Sequence, residues 1–344
     1  VDAKRFIIPI FISHHGCPHR CVFCNQNSIA HPASTIPTLE EVTEEIERYL
    51  RLGSRRRRDD RTVQVAFYGG SFTALPLGTQ KGLLHHCEPF LNEGIVHSLR
   101  VSTRPDAIFP ECLQILTAHR VATVELGVQS MADEVLKTSL RGYGKERVKE
   151  AVRELQKEGL EVGIQLMIGL PGDSAEQFTA TVEEVIQLNP HFVRLYPTIV
   201  IHGTILEQWF REGRYHPLSL EEAVTLAKEA LKRLHQARIP VIRIGLQPTP
   251  SLEAPGTIVA GPYHPAFRQL AEGMLLYERA VDLLAEFLNA GGVIPTFLVS
   301  PRDISTFYGQ GKQNILKLRK TFDLPEIRVQ PDLRQQRGTI SLCE

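Results

Sequence analysis

Short β-branched runs alternate with amphipathic stretches along most of this chain, and that alternation restricts it to a sheet of parallel strands crossed by helices. Phe6–Ile12 reads as a first strand, and Thr38–Leu52 as a helix opened by Thr38 with Glu41 three residues on, a capping-box pattern. The order then repeats: Val63–Tyr68 with Gly78–Leu91, Ser98–Thr103 with Phe109–His119, Thr123–Gly127 with Lys145–Glu158, Glu161–Ile168 with Ala175–Leu188, and Phe192–Tyr196 with Ser219–Ala237. Val241–Ile244 offers one more strand. About six such units fall short of the eight that close a full barrel, so the expected fold class is α/β, a partial (β/α)6 TIM-like barrel.

Residues 1–245 account for this barrel, and residues 246–344 read as a small C-terminal α+β extension. Its start is rich in proline and glycine (Pro248, Pro250, Pro255, Gly256, Gly261, Pro262), which marks a linker or a cover. His264–Leu288 follows as one or two helices, then come strands near Val293–Val299, Ile327–Gln330 and Thr339–Leu342 and a short helix at Asn314–Thr321. The expectation is that Gly245–His264 and the extension cap the barrel mouth and keep water from it.

The chemistry is concentrated at Cys17-Pro18-His19-Arg20-Cys21-Val22-Phe23-Cys24, directly after the first strand. Three thiolates at C-x3-C-x2-C spacing can each hold a corner iron of a cubane cluster, and no fourth cysteine is near, so one iron stays open for a small molecule. A structural zinc site is the alternative, with His14, His15 or His19 as the fourth ligand, but zinc staples normally come as two separated pairs. Cys87, Cys112 and Cys343 show no ligand spacing and read as buried thiols. The lack of a disulfide pattern points to a reducing cytoplasm.

Strand parity puts a second set of polar groups inside the barrel, because alternate residues face opposite sides. Glu125 and Gln129 share one face of their strand while Val124, Leu126 and Val128 share the other; Gln165 and Met167 turn inward, as do Arg194 and Tyr196. Such a lining is too polar to be only a packed core, since unpaired buried charges and amides cost several kcal/mol. A Glu125–Arg194 pair without a ligand is the plainer reading. Lys plus Arg equals Asp plus Glu, at 39 each, so no global field draws the chain to nucleic acid or an anionic membrane. The one local candidate is Arg51 with Arg55–Arg58 and Arg61, which reads as a solvated loop at the end of the barrel away from the cysteines. Phe6–Ile12 is too short to cross a bilayer, and no membrane association is expected. A start at Val1 without methionine is expected of a trimmed N-terminus.

The cysteine spacing with Phe23 before the third cysteine resembles the radical-SAM superfamily, and Gly69-Gly70-Ser71 one strand later is similar to that superfamily's glycine motif. The resemblance implies a [4Fe-4S] cluster on Cys17, Cys21 and Cys24, and S-adenosylmethionine cleaved reductively to a 5′-deoxyadenosyl radical. It also implies an electron donor such as flavodoxin or ferredoxin. Phe23 would lie near the adenine, and Gly69, Gly70 and Ser71 would meet the methionine amine. Ser102, Arg104, Gln129 and Gln165 would complete the nucleoside site. Glu125, Arg194, Tyr196 and His202 would form its floor or meet the substrate.

Further motifs narrow the resemblance: Thr103-Arg104-Pro105-Asp106, Glu125–Ser130, Arg141-Gly142, Gly169-Leu170-Pro171, Tyr196–Val200 and Gly213-Arg214-Tyr215 occur in this order. Together they resemble the radical-SAM domain of the Elongator catalytic subunit family, the tRNA wobble-uridine acetyltransferases. Ser102 stands where that family usually has glutamate, and the strand at Arg243–Gln247 differs. Neither the acetyltransferase domain nor the zinc-binding cysteine segment of that family is found after the barrel. The resemblance implies a tRNA base as substrate, with a small metabolite or a non-catalytic iron–sulfur protein as the alternatives.

Overall fold

Seven parallel strands, β1 (Phe6–Phe11), β2 (Val63–Tyr68), β3 (Ser98–Thr103), β4 (Val121–Gln129), β5 (Glu161–Ile168), β6 (Phe192–Pro197) and β8 (Val241–Ile244), form one curled half-barrel in a computed structural model of the chain. It describes residues 5–18, 20–25, 36–54 and 62–343. Strand order in space is β1-β2-β3-β4-β5-β6-β8, so each crossover moves to the next position in one direction and β1 and β8 are left as the two edges. β8 is the seventh strand for which the sequence left room. The arginine run at 55–61 and His19 lie outside the described residues.

The helices form where the apolar period is helical and end caps are supplied. In Lys145–Lys157 the buried residues Val148, Ala151, Val152 and Leu155 fall on one stripe facing the sheet. Thr38 and Glu41 make the expected reciprocal cap, at 3.2 Å and 2.8 Å. Ser219 and Glu222 make a second one before Leu220–Gln236. Ile164, Leu166 and Ile168 on β5 are fully buried beneath the helices, while Gln165 and Met167 face the barrel interior. The alternation read from sequence therefore sorts core from cavity correctly on this strand.

Several elements had no sequence signal strong enough to place them. Asp133–Thr138 and Ile205–Arg211 are short helices, and β7 (Val200–Ile201) pairs antiparallel with β9 (Ile258–Ala260). This two-stranded ribbon, with Leu252 fully buried against Ile199 and Ile201, folds the proline-rich segment back over the end of β6. The stretch expected as one helix at 78–91 is broken at Cys87 into Leu77–His86 and Glu88–Asn92.

The extension has its own core. Leu276, Ala280 and Leu284 of helix Phe267–Asn289 pack with Phe297, Phe307 and Leu318 and with the three-stranded sheet of β10 (Thr296–Val299), β11 (Arg328–Pro331) and β12 (Ile340–Cys343). The first turns of the same helix, Phe267 and Ala271, belong to the barrel core, so a single helix joins the barrel core to the core of the extension. Cys87 and Cys112 are fully buried, and burial pushes their thiols up to about 12 and about 11. Cys343 is only half-buried, because β12 is an edge strand of the small sheet and pairs on one side with β10.

Candidate functional site

The loop after β1 is tied backbone to backbone to the turn after β2. The amides of Ile12, His14 and Ser71 donate to the carbonyls of Tyr68, Gly69 and His15 at 2.8 to 2.9 Å. A Cβ on Gly70 would lie 2.4 Å from the His15 oxygen and 2.5 Å from the Ile12 oxygen, both backbone atoms that cannot move aside. The two glycines thus let the turn seat itself against the cysteine loop. Gly70→Ala is expected to displace that loop, lowering both thermal stability and iron bound per chain after reconstitution. Undiminished iron content in a folded Gly70→Ala protein would refute this packing role.

Each cysteine lines a cavity of about 690 Å³ at the C-terminal ends of the strands, where ligands of open parallel sheets bind. The Cys17 sulfur lies 3.3 Å from the Ser71 hydroxyl. Cys21 is buried and accepts from Arg141 at 2.8 Å and, more weakly, from Arg104 at 3.8 Å, which places fixed positive charge beside this sulfur. Arg104 is held by Asp106 at 2.8 Å and donates to the Arg141 carbonyl. Arg141 in turn reaches Tyr143 and the Gly127 carbonyl. Phe23 packs with Val135, Leu170, Leu206 and Tyr215 and presents an edge to the cavity.

A bulge between Gly127 and Gln129 re-aims the end of β4. Gln129, at φ +72°, faces the cavity with its buried Oε1 lacking any partner. Gly69, Gly70, Ser102, Arg104, Gln165, Arg194 and Tyr196 line the same cavity, together with Leu246, Gln247 and Thr249 from the segment that follows β8. No described residue after Thr249 lines it. Of the segment expected to cap the mouth, its start thus reaches the cavity, while helix Phe267–Asn289 packs on the outer helix Leu220–Gln236.

Beneath the cavity Glu125 is fully buried and holds four donors: Tyr68 at 2.9 Å, Arg100 at 2.6 Å, Arg194 at 2.9 Å and Gln165 at 3.0 Å. Burial would raise its pKa, but Arg194 and Arg100 outweigh that and hold the carboxyl below its ordinary value. Tyr68 is pushed up by burial and by Glu125. Of the two places expected for Glu125, floor or substrate contact, the geometry gives the floor: it does not line the cavity and it fixes residues that do. Ser71 sits one step back in the same way, against Cys17. His202 is set apart altogether, its side chain 72% exposed and paired with Glu207 at 3.2 Å, because the ribbon of β7 and β9 turns it outward. Arg100 and Tyr68 were legible by parity as inward residues of β3 and β2. Arg141 and Tyr143 sit on a loop where no period points to them.

Three thiols and a set of glycine, arginine and amide groups thus open onto one cavity. The family described as the Radical SAM superfamily matches residues 11–185, and that described as the Radical_SAM C-terminal domain matches residues 190–276. The chain belongs to the radical SAM superfamily. Among curated relatives, the tRNA uridine(34) acetyltransferase of Dehalococcoides mccartyi is 32% identical over 232 residues, 58% of this chain and 50% of that one. An uncharacterized protein of Methanocaldococcus jannaschii is 28% identical over 243 residues, 67% of this chain and 72% of its own length. The structure of the archaeal Methanocaldococcus infernus Elp3 shares the fold, with a TM-score of 0.62 at 22% identity over 80% of this chain and 64% of that one. The radical SAM chain spans about half the length of the acetyltransferases it matches.

Members of the superfamily use a [4Fe-4S] cluster and S-adenosylmethionine, and the residues present fit both. Three cysteines share one loop open to the cavity, and the orphaned Gln129 oxygen faces the same space. Among the described residues, no three of His, Cys, Asp and Glu converge closely enough to hold a single metal ion; a cubane instead takes each sulfur at a different corner.

Proposed function

We propose that this chain is an Elongator-like radical SAM enzyme whose Cys17, Cys21 and Cys24 hold the cluster and whose substrate is a tRNA base. When bound, the cluster and S-adenosylmethionine supply a one-electron cleavage yielding a 5′-deoxyadenosyl radical that can abstract hydrogen. The observation that carries the reading is the convergence of the three cysteines, the Gly69-Gly70 turn and Gln129 on one cavity. Gly69 and Gly70 would offer backbone groups to the methionine amine, Ser102 and Arg104 polar groups to its carboxylate or the ribose, and Phe23 an apolar edge to the adenine. Gln129 and Gln165 would take the remaining nucleoside polar atoms. Arg194 and Tyr196, fixed from below by Glu125, would face the substrate. Leu246, Gln247 and Thr249 would narrow the opening and keep water from a reactive intermediate. His202 has no part in this arrangement.

The relatives named as tRNA uridine(34) acetyltransferases support a tRNA substrate. The balanced charge of 39 basic and 39 acidic residues favours the second reading, a small metabolite. Anaerobic reconstitution with iron and sulfide, then reduction in the presence of S-adenosylmethionine, is expected to yield 5′-deoxyadenosine and methionine; failure to form either product would overturn the enzyme reading. Bulk tRNA is expected to bind at low salt and to be released as salt rises, because phosphate contacts release counterions. No tRNA retention at low salt would favour the metabolite.

A further inference from the structure

Five arginines, Arg20, Arg104, Arg141, Arg194 and Arg243, line the cavity, and no aspartate or glutamate is among its described lining residues. At the cysteine end this excess has partners: Arg104 is on Asp106, and Arg141 is on Cys21 and the Gly127 carbonyl. At the other edge of the sheet Arg194 is held by Glu125, and the charge left over is that of Arg243. Glu125 is a carboxylate under that floor, and its two oxygens are already taken by Arg100, Arg194, Tyr68 and Gln165. Arg243 lies beside Arg194 in register on the neighbouring strand and faces the same interior. Among the described residues its side chain makes one hydrogen bond, from Nε to the Gly245 carbonyl at 3.2 Å, which leaves both terminal nitrogens of the guanidinium for the cavity. Burial, opposed by Tyr196 and helped by the nearby Arg194 and Arg268, pushes its pKa down.

We infer that Arg243, with Arg194 and the Tyr196 hydroxyl, forms a subsite for an anionic oxygen group of the substrate, a phosphate or a carboxylate. A guanidinium with two free terminal nitrogens offers such a group a two-pronged contact, and a water-poor cavity strengthens it. The neutral Gln247 and Thr249 stand on the covering segment at the same lip of the cavity. This deepens the proposed function and rests on it, since it names a feature of the molecule on which the radical would act.

The test is calorimetric titration of the full, reconstituted chain with S-adenosylmethionine present and ionic strength held constant. The probes are uridine 5′-monophosphate, malonate and, as the neutral comparison, uridine. At least one of the two anions is expected to bind where uridine does not, and which one binds distinguishes phosphate from carboxylate. Arg243→Gln is expected to weaken that binding about tenfold or more, the usual scale for a charged hydrogen-bonded contact. Arg268→Gln, a neighbouring cation outside the cavity, is expected to leave it within about twofold. Arg243→Lys keeps a point charge but loses the fork, so it provides a folded variant that must still weaken binding severalfold if Arg243→Gln does not fold. No anion binding by the wild type, equal affinity in the Arg243 variants, or equal losses at 243 and 268 would overturn the subsite. The titration needs no turnover. Anion binding that depends on Arg243 in a chain making no 5′-deoxyadenosine would sink only the enzyme reading, and turnover with affinity indifferent to residue 243 would sink only the subsite.

Discussion

Alanine at any one of Cys17, Cys21 or Cys24 is expected to abolish cluster retention and reductive cleavage of S-adenosylmethionine together. Each sulfur lines the same cavity, and with three protein ligands for four irons no cysteine is spare. The losses are expected to differ in their side effects. Cys17 is exposed, and its one close partner is the Ser71 hydroxyl, so Cys17→Ala removes a ligand and little else. Cys21 is buried against Arg141, and Cys21→Ala also strips a buried guanidinium of a partner, so its melting temperature is expected to fall more. Serine in place of Cys17 gives a harder oxygen ligand that holds a cluster corner poorly. Iron and sulfide per chain, together with 5′-deoxyadenosine formed anaerobically, measure these effects. Cys87→Ala is the control, being a fully buried thiol remote from the cavity lining, and is expected to cost stability without costing iron. A Cys17, Cys21 or Cys24 variant that kept a full cluster would refute the ligand assignment.

Glu125→Gln is expected to be the most damaging substitution for stability. It would leave Arg100 and Arg194, both bonded to this carboxylate at 2.6 and 2.9 Å, beneath the cavity with no counter-charge. Removing one partner of a buried ion pair costs about 3 to 5 kcal/mol, a large part of the roughly 5 to 15 kcal/mol by which domains are stable. The pH dependence follows from the direction of the shift. Because the folded protein holds the Glu125 carboxyl below its ordinary value, the group contributes stability that is complete above the ordinary carboxylate range. That contribution fades as pH falls through the lowered value. The gap in melting temperature between wild type and Glu125→Gln should therefore be widest at neutral pH and narrow on acidification. A gap near zero at neutral pH would show that Glu125 is not the keystone of the floor.

The parts of this architecture that repeat with a short period were open to reading. Alternation on β5 separates Ile164, Leu166 and Ile168 from Gln165 and Met167, and both sets lie where their parity places them. The cysteine loop and the Gly69-Gly70 turn are local in sequence and come together because their strands are neighbours. The gaps come where a long-range contact decides. Glu125 reads as floor or substrate contact without a choice between them, and Arg100 and Arg194, reaching it from β3 and β6, make it floor. His202 follows a promising motif, yet two-residue β7 pairs with β9 almost sixty residues later, and that pairing turns it to solvent. Arg141 gains its place only when a loop beyond β4 folds back on Cys21, a contact across 120 positions that no local pattern encodes.

The most direct test of a three-cysteine cluster with one open iron is electron paramagnetic resonance of the reduced, reconstituted protein before and after addition of S-adenosylmethionine. The expected result is a reduced [4Fe-4S] signal whose g values move when S-adenosylmethionine is added, because the ligand meets the iron that no protein sulfur holds. A signal indifferent to S-adenosylmethionine, or a protein that takes up one zinc per chain and assembles no cluster, would contradict it.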